Sequence, residues 1–148
     1  MDRSTEQFIL DIMDAAPDLT LATVRPDGYP QATTVSYAHD GLDIYVGIGK
    51  HSQKADNLHA CDKVSVTISP GYTDWNHIKG VSLGGKASFV SDPKEAAHAA
   101  DCMMKRFPQV SDWAGTMSEE MEFIRIRPEV ISVLDYEKGF GHTELVRP

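Results

Sequence analysis

The stretch Leu42-Asp43-Ile44-Tyr45-Val46-Gly47-Ile48-Gly49-Lys50-His51-Ser52-Gln53-Lys54-Ala55-Asp56-Asn57-Leu58 changes character halfway along. Leu42, Ile44 and Val46 alternate, which is the period of a half-buried strand. Gly47-Ile48-Gly49 closes that strand. His51-Ser52 then opens a short helix running through about Ala60, with Ser52 as its natural N-cap.

Working upstream, Asp40-Gly41 is a hairpin signal, and residues 29–37 form the preceding strand around Ala32, Thr33, Thr34, Val35 and Ser36. Pro26-Asp27-Gly28 is a turn in which proline fixes one dihedral and glycine supplies positive φ. Residues 19–25, rich in Leu, Thr and Val, form the first strand. Before them Phe8, Ile9, Ile12, Met13 and Ala16 mark one face of a helix, with Ser4 and Gln7 at capping-box spacing and Pro17-Asp18 at its end.

Downstream, Val64, Val66 and Ile68 alternate as a fourth strand, and residues 69–77 form a loop containing Pro70-Gly71. Residues 81–90 are a fifth strand whose Gly84-Gly85 pair signals a bulge. Asp92-Pro93-Lys94-Glu95 starts another helix with a cap, a first-turn proline and a capping-box acid. Ala96, Ala100, Met103, Met104 and Phe107 form its apolar face, and Pro108 stops it. Residues 111–118 read as irregular or a short helical turn. Residues 121–134 are a long strand region interrupted at Pro128-Glu129, before a polar tail. Six strands joined by short turns predict a mostly antiparallel sheet, and closing it into a small barrel removes exposed edges. The expectation is one mainly β domain over residues 1–148, a six-stranded antiparallel barrel with flanking helices.

The composition narrows the function. Lys plus Arg total 14 against 22 Asp plus Glu, for a net charge of -8. A duplex or an anionic membrane surface needs a basic footprint, so neither nucleic acid nor membrane is the expected partner. Neither a spanning apolar run nor a leader pattern is seen at Met1-Asp2-Arg3-Ser4, which predicts a cytoplasmic location. Cys61 and Cys102 fall in predicted helical segments and read as buried thiols in a reducing compartment. The six histidines include no H-x-x-x-H pair, and no metal site is expected.

Four places offer binding chemistry. At the helix start, exposed N–H groups, the Ser52 hydroxyl, Lys50 and Lys54 suit a phosphate; a capped surface helix with two solvated lysines has the same spacing. The strand with Thr33, Thr34 and Ser36 offers hydroxyls to a flat polar ring, although Thr is also an ordinary strand former. The loop with Tyr72, Trp75, His77 and Lys79 fits either a cofactor cover or a dimer-interface loop. Gly139-Phe140-Gly141-His142 is either a lid or a loose terminus.

The order of these pieces resembles the pyridoxamine 5'-phosphate oxidase-like family of FMN-binding split barrels. The resemblance lies in Leu21-Ala22-Thr23-Val24 with Asp27-Gly28-Tyr29-Pro30-Gln31, in residues 42–46 followed by Ser-x-Lys-x-x-Asn-Leu at 52–58, and in Ile78-Lys79-Gly80-Val81-Ser82-Leu83-Gly84-Gly85-Lys86-Ala87. It implies FMN as cofactor. Ser52 and Lys54 are then on its phosphate, with Lys50, His51 and Gln53 as neighbours. Thr33, Thr34, Val35 and Ser36 line its ring, and the Trp75 and Lys79 segment reaches the flavin from a partner subunit. It also implies a homodimer with the flavin at its interface, and oxidoreductase activity on a small molecule. Gln53 stands where the family's true oxidases carry arginine, and the tail lacks their arginine- and histidine-bearing substrate motif. The short flavin-reductase-like and general stress members are therefore the nearer resemblance. Alternatives on the same barrel are a non-enzymatic flavin or haem carrier, with His142 or His51 as axial ligand, and a deazaflavin-dependent reductase. His142 and Tyr37 are the candidate proton donors.

Overall fold

The structure is a computed structural model that describes residues 1–112 and 119–148. Helix α1 (Arg3–Ala15) leads into strands β1 (Asp18–Val24), β2 (Pro30–Ser36), β3 (Ala38–Asp40) and β4 (Asp43–Gly49). Helix α2 (Gln53–Ala60), β5 (Lys63–Ile68), β6 (Lys79–Phe89), helix α3 (Pro93–Arg106), β7 (Met121–Asp135) and β8 (Thr143–Val146) follow. The strand order is β2-β1-β5-β6-β7-β4-β3, with β8 on β7, and every pairing is antiparallel.

The first and last strands of that order, β2 and β3, are separated in sequence by Tyr37 alone. The strand pairs with β1 before Tyr37 and with β4 after it, so the curled sheet closes on itself. Eight strands replace the expected six because β3 and β8 were not anticipated. With β2 and β3 taken as one strand and β8 as an appendage, the barrel keeps six staves. The tail, expected to be merely polar, adds β8 by pairing Thr143 with Leu134 and Val146 with Ile131.

The interior is filled by alternating residues such as Leu19 and Leu21, Ile44, Val46 and Ile48, and Val64, Val66 and Ile68. Ile9, Ile12 and Met13 of α1 join them. Each aliphatic side chain taken fully from water contributes roughly 1.5–3 kcal/mol. Asp2, rather than Ser4, caps α1. Its carboxylate accepts from Thr5 N at 2.8 Å and from Ser4 Oγ at 2.8 Å, and these bonds hold its pKa down to about 2. Asp92 caps α3 as expected, but Glu95 pairs with Arg125 instead of closing a capping box. Residues 108–112 form a 3₁₀ turn, and the rest of the expected irregular stretch, 113–118, lies outside the described residues.

β7 runs unbroken through Pro128, where an interruption was expected. The register shifts opposite it, between Gly84 and Gly85 of β6. A Cβ on Gly85 would lie 2.5 Å from Arg127 O, so the bulge requires glycine there. Gly85→Ala is expected to lower stability by about 1–3 kcal/mol in urea unfolding, through backbone displacement at the bulge.

Candidate functional site

Helix α2 begins where β4 ends, and two contacts tie its first turn in place. Ser52 Oγ donates to Gly49 O at 2.7 Å and accepts from Ala55 N at 3.2 Å. The Ser52 hydroxyl is thus occupied as the N-cap, and the first-turn N–H groups of Gln53 and Lys54 have no intrahelical acceptor. Lys54 Nζ donates to Thr33 Oγ1 of β2 at 3.1 Å. Two predicted features, the helix start and the hydroxyl-bearing strand, therefore meet through one half-buried lysine. Among the described residues neither Lys54 nor Lys50 has a carboxylate partner. Both cations are available to an anion in a chain of net charge -8.

Beneath this turn lies a polar cluster that sequence reasoning missed. Asn57 is fully buried, and its Nδ2 donates to Thr23 Oγ1 at 2.9 Å and to Gln31 Oε1 at 3.0 Å. Gln53 Nε2 donates to Asn57 Oδ1 at 2.8 Å. The network locks α2 onto β1 and β2 and orients Gln53. Its one sequence signal was the Gln53/Asn57 spacing of four on a helix.

The four β2 residues are divided by the pleat. Thr33 and Val35 are half-buried, whereas Thr34 and Ser36 are exposed. Ser36 Oγ donates to Asp18 Oδ1 at 2.9 Å. His51 is exposed at the turn. Trp75 lies in the loop that follows β5, and Lys79 opens β6. Trp75 packs with Phe140 at 6.0 Å between ring centroids, and Phe140 with Tyr136 at 5.3 Å.

A cavity of about 900 Å³ adjoins the α2 turn. Val35, Ser36, Gly47 and Lys50 line it together with Met121 and Phe123 of β7, which stand across the sheet from Gly49 and Gly47, and with Met103 and Met104 of α3 and Phe107 just past it. Its volume lies within the roughly 300–1,000 Å³ of small-molecule sites. Helix α3 is held over this face by Arg125 Nη1, 2.9 Å from both Glu95 carboxylate oxygens, and by the His98–Asp40 contact at 2.8 Å.

Tyr37 is not a proton donor to this site. It has no exposed surface, its hydroxyl donates to Met13 O and Ala16 O, both at 2.7 Å, and burial pushes its pKa up to about 12. Cys61, just past α2, and Cys102, on α3, are free and part-exposed rather than buried. Partial burial pushes the Cys102 thiol up, away from the thiolate form. Among the described residues no group of three or more His, Cys, Asp or Glu is placed to hold a metal, and no helix is long and apolar enough to cross a membrane.

Comparison with known proteins places this geometry. The family profile described as pyridoxamine 5'-phosphate oxidase matches residues 5–135. A conserved hypothetical protein of Mycobacterium tuberculosis superposes with a TM-score of 0.79 at 28% identity, over 97% of this chain and 91% of that one. A candidate pyridoxamine 5'-phosphate oxidase of Listeria innocua superposes with a TM-score of 0.71 at 27% identity, over 88% and 98%. A heme binding protein of Mycobacterium smegmatis shares the fold with a TM-score of 0.83 at 18% identity; this chain covers 59% of its length. No curated protein matches the chain. Asn57→Ala is expected to cost about 1–3 kcal/mol in thermal or urea unfolding, because Thr23 and Gln31 lose a buried partner.

Proposed function

The chain belongs to the pyridoxamine 5'-phosphate oxidase-like family of split barrels, and from that premise we propose that it binds FMN and uses it in oxidoreduction of a small molecule. The observation that carries this reading is the 3.1 Å contact of Lys54 with Thr33, which puts a cation without a carboxylate partner at the start of a helix whose preceding turn lines the cavity through Lys50. The donor set fits a phosphate: the Lys54 ammonium, the first-turn N–H groups and the nearby Lys50. Ser52 serves that site by shaping the turn. From there β2 continues through Val35, on the same face as Thr33, to the cavity that Val35, Ser36 and Gly47 line, where a planar ring has room.

Bound FMN would supply hydride transfer. The protein would hold the phosphate with Lys54, exclude water with the apolar wall under α3, and leave the exposed face of β2 open toward a second copy. In a homodimer the Trp75 and Lys79 segment of the other subunit would be the cover.

A second reading, a haem carrier, is favoured by one observation. His142 Nε2 is buried and has no hydrogen-bond partner among the described residues, which leaves it free as an axial donor. The heme binding protein of Mycobacterium smegmatis shares the fold. No histidine lines the large cavity among the described residues, which favours the flavin.

The test is an absorbance spectrum after adding FMN or haemin and desalting. Retained flavin bands are expected. A colourless protein after FMN, with a Soret band after haemin that His142→Ala abolishes, would overturn the flavin reading. Lys54→Ala is expected to weaken FMN binding about tenfold to a hundredfold in a fluorescence-quenching titration, the worth of one charge-assisted hydrogen bond.

A further inference from the structure

Helix α2 has 8 residues, and a helix that short is marginal by itself in water, so the direction of its first turn depends on what ties it to the sheet. Side chains link it to β2 at two places. Lys54 Nζ donates to Thr33 Oγ1 at 3.1 Å, and Asn57 Nδ2 donates to Gln31 Oε1 at 3.0 Å. Gln31 and Thr33 are alternate residues of β2 and share its half-buried face. Lys54 and Asn57 are three positions apart and share one face of the helix. The links are therefore neighbouring rungs, and together they fix both the place of the helix and its rotation about its own axis. They are not equivalent. The Lys54 rung ends on a half-buried ammonium, and an anion would draw it from a neutral hydroxyl because a charge-assisted bond is the stronger one. The Asn57 rung is closed to ligands. Its side chain is fully buried, bridges the cross-strand pair Thr23 and Gln31, and accepts from Gln53 Nε2 at 2.8 Å.

We infer that Asn57 is a positioning residue for the anion site at the start of α2: it touches no ligand, and it holds the first turn against β2 while Lys54 turns to a bound phosphate. The inference rests on the flavin reading, in which that phosphate belongs to FMN. Donors aimed before binding hold an anion more tightly than donors that must be ordered as it binds, because the ordering subtracts from the affinity. The first-turn N–H groups belong to Gln53 and Lys54. Gln53 is bonded to Asn57 through its side chain, and Lys54 lies one turn before Asn57 on the same face, so a shift of Asn57 displaces both donors together. In the flavin reading the ring lies in the cavity that Val35, Ser36 and Gly47 line, which Gln31, Lys54 and Asn57 do not border. Asn57 therefore acts on the phosphate and leaves the ring alone.

The experiment is a fluorescence titration of FMN, and of riboflavin, which lacks the phosphate, into the wild-type protein, Asn57→Ala and Gln31→Met, with thermal unfolding recorded for each. Gln31→Met removes the acceptor of the buried rung at a half-buried strand position and keeps the side-chain length, so it retains the fold even if Asn57→Ala does not. The expected result is FMN binding about threefold to tenfold weaker in the folded variants, the worth of one lost hydrogen bond, with riboflavin within about twofold of wild type. A purely structural role would lower both affinities alike, so equal loss of FMN and riboflavin in a folded variant overturns the inference. Wild-type FMN affinity in folded Gln31→Met overturns it as well. Wild-type protein that holds FMN no tighter than riboflavin overturns the phosphate reading itself, and the inference with it. Discrimination that is present in the wild type and survives in both variants overturns the inference alone.

Discussion

Closure of the barrel at Tyr37 is the constraint on which the other elements depend. One strand changes partners there, from β1 to β4, and the residue at the change must satisfy the end of a helix as well as a sheet. The last carbonyls of α1 have no intrahelical donor. The Tyr37 hydroxyl donates to two of them, Met13 O and Ala16 O, from a fully buried position. Arg106, at the end of α3, donates to the same two oxygens, at 2.8 Å for Met13, and lays its guanidinium 4.6 Å from the centre of the Tyr37 ring. A cation at a helix C-terminus is favourable, and a guanidinium over an aromatic face adds to it. One cluster therefore ties α1, the closing strand and α3 together.

The site inherits its shape from that arrangement. Helix α3 is fixed at its far end by Arg106 and along its length by Glu95–Arg125 and His98–Asp40. Between those ties its apolar residues stand over β4 and β7 and leave the large cavity. On the other side, the buried Asn57 network fastens α2 to β1 and β2. Lys50 of the α2 turn is thereby held at the edge of an apolar space, and Lys54 reaches from the same turn to Thr33.

Much of this was legible in the chain. Alternation at Leu42, Ile44 and Val46 and at Val64, Val66 and Ile68 marked strands because burial on one face imposes a period of two. Ser52 and Asp92 marked helix starts because a short side-chain acceptor there satisfies an orphan N–H. Gly84-Gly85 marked the bulge. The two missed strands had no such signature. Ala38-His39-Asp40 is three residues long, and Thr143-Glu144-Leu145-Val146 is almost wholly exposed, so neither carries a burial pattern. Tyr37 was legible as a tyrosine near the candidate site and nothing more.

The sequence by itself determined most of the elements, the barrel class, the family, and the placing of Lys50, Ser52 and Lys54 at a helix start, because these are carried by local residue pattern and order. The tertiary structure alone decided which of those residues meet. It brought Lys54 to Thr33 across 21 positions, Asn57 to Thr23 across 34, and Arg106 to Met13 across 93. It also turned Tyr37 from a candidate acid into the pin of the barrel. Contacts at such separations follow from how the sheet curls, and local residue pattern carries no record of that curvature.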